Sequence, residues 1–259
     1  MCETCGCSGD KRGSHDNHGD GHDHPHPHPH PGDHKTSLEL PTSILKANEE
    51  VAARTRLRLS ERGILAVNVV GTPGAGKTAL LESTLTKLPD GLRAGIIVGD
   101  LATENDARRL TRPGVPVVPI ETGTGCHLTA FMIERALDQL PLDEINLLFV
   151  ENVGNLVCPA LFDLGEASKI ALISVTEGTD KPEKYPVIVQ HATLLLITKT
   201  DLLPHVDFDV EKACSLARRV HPEIEIMTLS ARSGAGMDLW LSWLSEHHRA
   251  NRSASGSRA

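Results

Sequence analysis

Aromatic side chains are scarce in this chain of 259 residues: they make up 3% of it, with Trp at 2, Tyr at 1 and Phe at 4 positions. A core must therefore be built from Leu, Ile, Val and Ala, and the length allows one α/β domain with tails or two small domains. No apolar run approaches the roughly 20 residues needed to span a bilayer, which argues against a membrane protein. The amino terminus carries Cys, His, Gly and Asp where an apolar signal segment would lie, so a cytoplasmic location is expected. Positive charge is in deficit too. Lys and Arg total 26 against 34 for Asp and Glu, and a formal net charge of −8 argues against a general nucleic-acid-binding surface. In a reducing compartment the 6 cysteines are expected as thiols or metal ligands rather than disulfides.

What the chain does have is concentrated first in residues 64–78, ILAVNVVGTPGAGKT. The apolar run reads as a buried strand. It breaks into GTPGAGKT (71–78), which meets G-x-x-x-x-G-K-[ST] at every fixed position. Gly71, Gly74 and Gly76 let the backbone curl so that successive N–H groups, including those of Ala75 and Gly76, point inward at a phosphate. A helix starting near Gly76 adds the positive end of its dipole. Lys77 can then reach the β- and γ-phosphates while the Thr78 hydroxyl ligates Mg²⁺. The pattern sits between a strand and a helix, the context it requires, so a nucleoside triphosphate is expected.

The first 37 residues look unlike the rest. Cys2, Cys5 and Cys7 lie close to a free amine. Soft thiolates with a nitrogen donor suit Ni²⁺ or Cu²⁺ in planar geometry and Zn²⁺ in tetrahedral geometry, and the alternative is a loose thiol tail. His15, His18, His22, His24, His26, His28, His30 and His34 follow, interleaved with Gly, Asp and Pro. Proline at alternate positions disfavours helix and sheet, so 1–37 is expected as a disordered metal-collecting tail. An added purification tag is the bland alternative.

The remainder, 38–248, reads as an α/β domain. A helix over 38–59 is expected to turn inward Ile44, Leu45, Val51, Ala52 and Leu59, and Gly63 ends it. Strands are expected at 93–98, 115–120, 145–150, 169–175, 192–198 and 225–229. Asp100 follows the first of these, at the edge where open α/β sheets bind ligands. It either holds Mg²⁺ and orients water or caps a turn; Asp106 is a weaker candidate. Residues 121–127 carry Cys126 and His127, able to chelate one soft ion, and are expected to open a helix running to about Leu140. The strand ending at Val150 leads into ENVG (151–154), where phosphate-loop enzymes carry Asp-x-x-Gly, so Glu151 is a longer-armed metal candidate. Cys158 lies four residues beyond Gly154. A loop tied to the γ-phosphate would drag that thiol, and joining it to Cys126 and His127 would give the metal site and the nucleotide switch one backbone. Residues 177–186 read as a polar loop. TKTD (198–201) resembles the guanine-reading Asn-Lys-x-Asp, with Thr198 in place of Asn, Lys199 over the base and Asp201 accepting from guanine N1–H and N2–H₂. Losing such a directional pair costs on the order of 10⁴-fold in discrimination; a helix cap at Thr200 or Asp201 is the alternative. Ser230 and Ala231 stand where a Ser-Ala pair typically turns a backbone N–H to guanine O6. A final helix from Gly236 to His248 is expected to bury Leu239, Trp240, Trp243 and Leu244, and 249–259 to be a disordered tail.

Taken together, MCETCGC, GTPGAGKT, GDLATENDARRL, ETGTGCHL, ENVGNLVCP, EGTDKPEKYP and TKTDLLP closely resemble the nickel-incorporation GTPases of nickel–iron hydrogenase maturation, the HypB family. The resemblance covers about 36–248 and the initial Cys motif; the related urease-accessory GTPases share the phosphate machinery but less at the cysteines. It implies a three-layer phosphate-loop NTPase fold of the signal-recognition/MinD-like class with a mostly parallel central sheet. It implies GTP hydrolysis to GDP with Mg²⁺, a homodimer favoured by GTP, and a Ni²⁺/Zn²⁺ site at its interface from Cys126, His127 and Cys158. The implied partners are a nickel-binding hydrogenase accessory protein and the hydrogenase large-subunit precursor. No arginine finger or glutamine is evident, so turnover is expected to be slow. The rival readings are a nickel or zinc storage protein with incidental GTPase activity and a small-molecule kinase.

Overall fold

The computed structural model describes residues 42–99, 110, 114–123 and 125–256. Cys2, Cys5, Cys7, the histidine tract, Asp100 and Asp106 lie outside the described residues. Helix α1 (Thr42–Ser60) leads through Gly63 into β1 (Leu65–Gly71), and the phosphate-loop motif connects β1 to α2 (Lys77–Thr86). Then follow β2 (Ala94–Val98), β3 (Val117–Pro119), α3 (Ala130–Leu137), β4 (Leu147–Glu151), α4 (Cys158–Leu161) and β5 (Ser168–Ser174). The chain continues through α5 (Lys181–Lys184), α6 (Pro186–His191), β6 (Leu194–Thr198), a 3₁₀ turn (Thr200–His205), α7 (Val210–Val220), β7 (Glu225–Thr228) and α8 (Met237–Gly256).

The described strands form one parallel sheet in the order β3-β2-β4-β1-β5-β6-β7. Parallel sheets are covered on both faces, and β1, β2, β4, β5 and β6 are accordingly buried along their whole length. The two-residue period divides their side chains between layers. Val67 and Val69 face Leu80 and Leu81 of α2 and Trp240 and Leu244 of α8. Ala66, Leu148 and Val150 face Leu59 of α1 and Ile133 of α3, while Val70, Ala171 and Ile173 meet Ile188 and Val189 of α6. The expected three-layer architecture is met. Register brings strand ends together: Val69 pairs with Glu151, Gly71 with Leu172, and Ser174 with Thr198. The motif residues therefore gather at one edge.

Several local expectations need correction. The helix expected from Cys126–His127 to Leu140 starts at Ala130, because Thr129 caps it by accepting from Met132 N at 3.4 Å, and it ends at Leu137. This leaves Cys126 and His127 on a loop. Residues 177–186 are not simply loop, since the prolines at 182 and 186 start two short helices in first-turn positions. Leu239 is 63% exposed, because the buried stripe of α8 is Met237, Trp240, Leu241, Trp243 and Leu244, at helical spacing that leaves 239 outward. Ile44 is likewise 51% exposed. The tail expected to be disordered from 249 is helical to Gly256, with Arg249 Nε donating to Ser245 O and Ser253 Oγ to Arg249 O. Extending a formed helix adds one bond per residue fixed, so polar composition did not end it.

Candidate functional site

The phosphate loop curls at Gly74 (φ 78°) and Gly76 (φ 98°), left-handed values that a side chain resists. Ala75 between them is fully buried. Lys77, 5% exposed, folds its ammonium back to donate to Gly71 O at 3.2 Å and Thr72 O at 3.4 Å, across the mouth of its own loop. The Thr78 hydroxyl donates to Glu151 Oε1 at 2.7 Å. The longer arm of glutamate thus still reaches the threonine, and the pair presents a hydroxyl and a carboxylate, the hard oxygen donors that suit Mg²⁺. Asp100 lies outside the described residues, although Gly99 before it is tied to Glu151 O at 2.8 Å.

A cavity of about 210 Å³ opens beside the loop, lined among others by Gly76, Thr198, Lys199, Asp201, Ser230 and Ala231. Two bonds hold its walls. Thr198 Oγ1 donates to Ala75 O at 2.7 Å, and Ser230 Oγ donates to Asp201 Oδ1 at 2.6 Å. Lys199, just before the 3₁₀ segment, has a positive φ of 59°.

At the other side of the sheet edge the ligating atoms of Cys126, His127 and Cys158 all lie within 4.8 Å of one another. Among the described residues these are the ones that gather as a candidate metal centre. Cys126 Sγ is 3.5 Å from His127 Nδ1, and the His127 ring stacks on Phe162 at 3.9 Å between centroids. Burial holds the imidazole below its usual value, which favours the neutral form that ligates. Burial, and then the neighbouring Cys126 thiol, push Cys158 up to about 11, so a bound cation displaces a proton there. Two thiols and an imidazole fit a borderline or soft divalent ion such as Ni²⁺ or Zn²⁺.

Sequence reasoning anticipated a shared backbone between the two centres but not the contacts that pin it. Asn155 bridges to Gly71, and Asn152 N donates to Val69 O at 3.0 Å, so the stretch from Glu151 to Cys158 lies along the phosphate loop. Thr72 is also tied, donating to Glu177 Oε1 at 2.6 Å. Asn68, fully buried in the middle of β1, was the available signal: a polar residue inside an apolar run needs partners.

A parallel sheet with a glycine-rich turn from its central strand onto a helix, closed by a lysine and a threonine, defines a phosphate-loop nucleotide-binding protein. Residues 65–228 match the model of the CobW/HypB/UreG nucleotide-binding domain. The chain is 53% identical over 207 residues to the hydrogenase maturation factor HypB of Escherichia coli K12, covering 80% of this chain and 71% of that one. It is 51% identical over 215 residues to HypB of Azotobacter vinelandii, covering 83% and 71%. The crystal structure of HypB from Archaeoglobus fulgidus superposes with a TM-score of 0.74 at 38% identity, over 79% of this chain and 100% of that one. The crystal structure of Helicobacter pylori HypB in complex with nickel gives 0.75 at 36% identity, over 80% and 97%. The chain belongs to the HypB family of hydrogenase maturation factors, within the CobW/HypB/UreG nucleotide-binding proteins.

Proposed function

We propose that the protein is a GTP-hydrolysing nickel metallochaperone that assists nickel insertion into a hydrogenase large-subunit precursor, with nucleotide state coupled to metal binding and dimerisation. One observation carries the reading. The stretch 151–158 begins on the Thr78 hydroxyl, crosses Gly71 at Asn155, and ends in the donor triad with Cys158. Lys77 and the N–H groups of 74–78 hold the terminal phosphates; Thr78, Glu151 and Asp100 would hold Mg²⁺ and orient water. The bound ion supplies charge neutralisation on the phosphate oxygens, the main lever in phosphoryl transfer. Thr198, Lys199, Asp201, Ser230 and Ala231 frame the guanine. Cys126, His127 and Cys158 hold the cargo ion, and the nickel complex of the Helicobacter pylori relative supports nickel for that role. Cys2, Cys5 and Cys7 with the histidine tract collect Ni²⁺ or Zn²⁺ in the cytoplasm, where a nickel-binding accessory protein is the second partner. GTP favours a homodimer with the triad at its interface.

Isothermal titration of Ni²⁺ into the full chain and its Cys158→Ala variant, each with GDP and with a GTP analogue, tests the coupling. Affinity that differs between nucleotides in the parent and not in the variant supports it. Several ions per chain with no nucleotide effect would instead indicate storage. Saturation turnover without a partner is expected below about 1 s⁻¹ in a phosphate-release assay, against roughly 10⁻³ to 10⁻² s⁻¹ for unassisted GTPases.

A further inference from the structure

Beneath the two sites runs a chain of buried polar side chains whose hydrogen-bond direction is fixed. Asn152 Oδ1 accepts from Val153 N at 2.9 Å and from Leu128 N at 3.3 Å. Its amide nitrogen must then face Asn68, and Asn152 Nδ2 donates to Asn68 Oδ1 at 3.2 Å. Asn68 Nδ2 in turn donates to Glu166 Oε1 at 3.0 Å, and the same oxygen lies 3.5 Å from Lys169 Nζ. The Lys169 ammonium donates to Pro159 O at 3.2 Å, Ala160 O at 3.2 Å and Phe162 O at 3.1 Å. Both asparagines are fully buried, and Lys169 is 8% exposed.

The two ends of this chain are the two arms of the triad. Leu128 follows His127 directly. The carbonyls gripped by Lys169 belong to α4 and the residue after it; α4 starts at Cys158, and Phe162 carries the His127 ring. A four-residue helix cannot hold its own shape, so its carbonyls need an outside donor.

Resting on the triad's assignment as the cargo site, we infer that Asn68, Glu166 and Lys169 are positioning residues for metal binding: they fix the Cys126–His127 loop and the Cys158 helix at one mutual distance and link both to Asn152, next to Glu151. They touch neither nucleotide nor ion. Partners behind metal ligands commonly govern affinity by about 10- to 100-fold, and these do so through main-chain geometry.

The test uses the full chain with Cys2, Cys5 and Cys7 replaced by serine, so that the thiolate-to-nickel charge-transfer band reports the triad. Into it go Asn68→Ser, Lys169→Met and Lys169→Arg, with Cys158→Ala as the control. Asn68→Ser and Lys169→Met are expected to weaken Ni²⁺ binding about tenfold or more and to shift the band, with GDP affinity within about twofold of the parent. Lys169→Arg is expected to restore part of the affinity. Should Lys169→Met fail to fold, Asn68→Ser decides, since it retains a small polar group in the strand. Unchanged nickel affinity and band in a folded Asn68→Ser protein overturn the relay while leaving the triad intact. A band left unchanged in energy and intensity by Cys158→Ala overturns the triad, and the relay with it.

Discussion

Thr198, proposed to stand at the asparagine position of a guanine-reading motif, donates its hydroxyl to the phosphate loop at Ala75 O. One buried hydrogen bond of this kind is worth about 0.5–1.5 kcal/mol net. Thr198→Ala is therefore expected to weaken GDP binding by roughly three- to tenfold, measured by fluorescent-nucleotide titration, with little change in folding. Glu151 offers a sharper test. Glu151→Gln keeps an acceptor for Thr78 but removes the charge that would hold Mg²⁺ and orient water. Hydrolysis is expected to fall by about 10²-fold or more while nucleotide still binds, as single-turnover phosphate release would show. His248 is 6% exposed, and burial first, then Arg252 and Arg93, hold its imidazole below the usual 6.5. A lowered histidine contributes stability that is present above its unfolded value and lost as pH falls through the folded one. Urea midpoints are expected to drop as pH falls below about 6.5, and the drop to be smaller in His248→Gln.

At the level of elements, α8 packs in the same core cluster as the phosphate-loop helix. Trp240 is fully buried, and its indole N–H donates to Thr84 Oγ1 of α2 at 2.9 Å. Trp240→Ala removes that donor and opens a cavity, at an expected cost of about 3–5 kcal/mol in chemical denaturation. Gly99→Ala tests a closer fit: an added methyl would stand 2.6 Å from the fully buried Leu128 side chain, so the His127 loop must move. Strand positions were legible because β1, β4, β5 and β6 are largely apolar runs, and the phosphate loop because its glycines and lysine obey a fixed spacing. The pairing of Cys126–His127 with Cys158 was raised from the residues and implied by family resemblance, but no local pattern states the β3-β2-β4 order of the strands that the two arms follow. Asn68, Glu166 and Lys169 stayed hidden for a related reason. Each looks like a minor blemish in an apolar stretch until its partner, up to 98 residues away, is in place. Where α8 ends was misjudged because composition speaks for a free chain, and this one continues a helix already formed.

For the molecule as a whole, the sheet order places β4, β1 and β5 side by side, so the nucleotide loop and the Cys158 arm of the donor triad follow neighbouring strands. Among the described residues no helix is long and apolar enough to cross a membrane. The proposed coupling between the centres would run through one short piece of backbone, residues 151–158. One glycine inserted after Asn155 would add up to about 3.6 Å of slack, on the scale of the 4.8 Å that encloses the triad's donor atoms. Such a protein is expected to go on cleaving its nucleotide at the ordinary rate while its hold on nickel no longer answers to the cycle: an engine left running with the clutch slipping. The fixed length of that tether, more than the identity of any one ligand, would make hydrolysis count ions instead of merely consuming fuel.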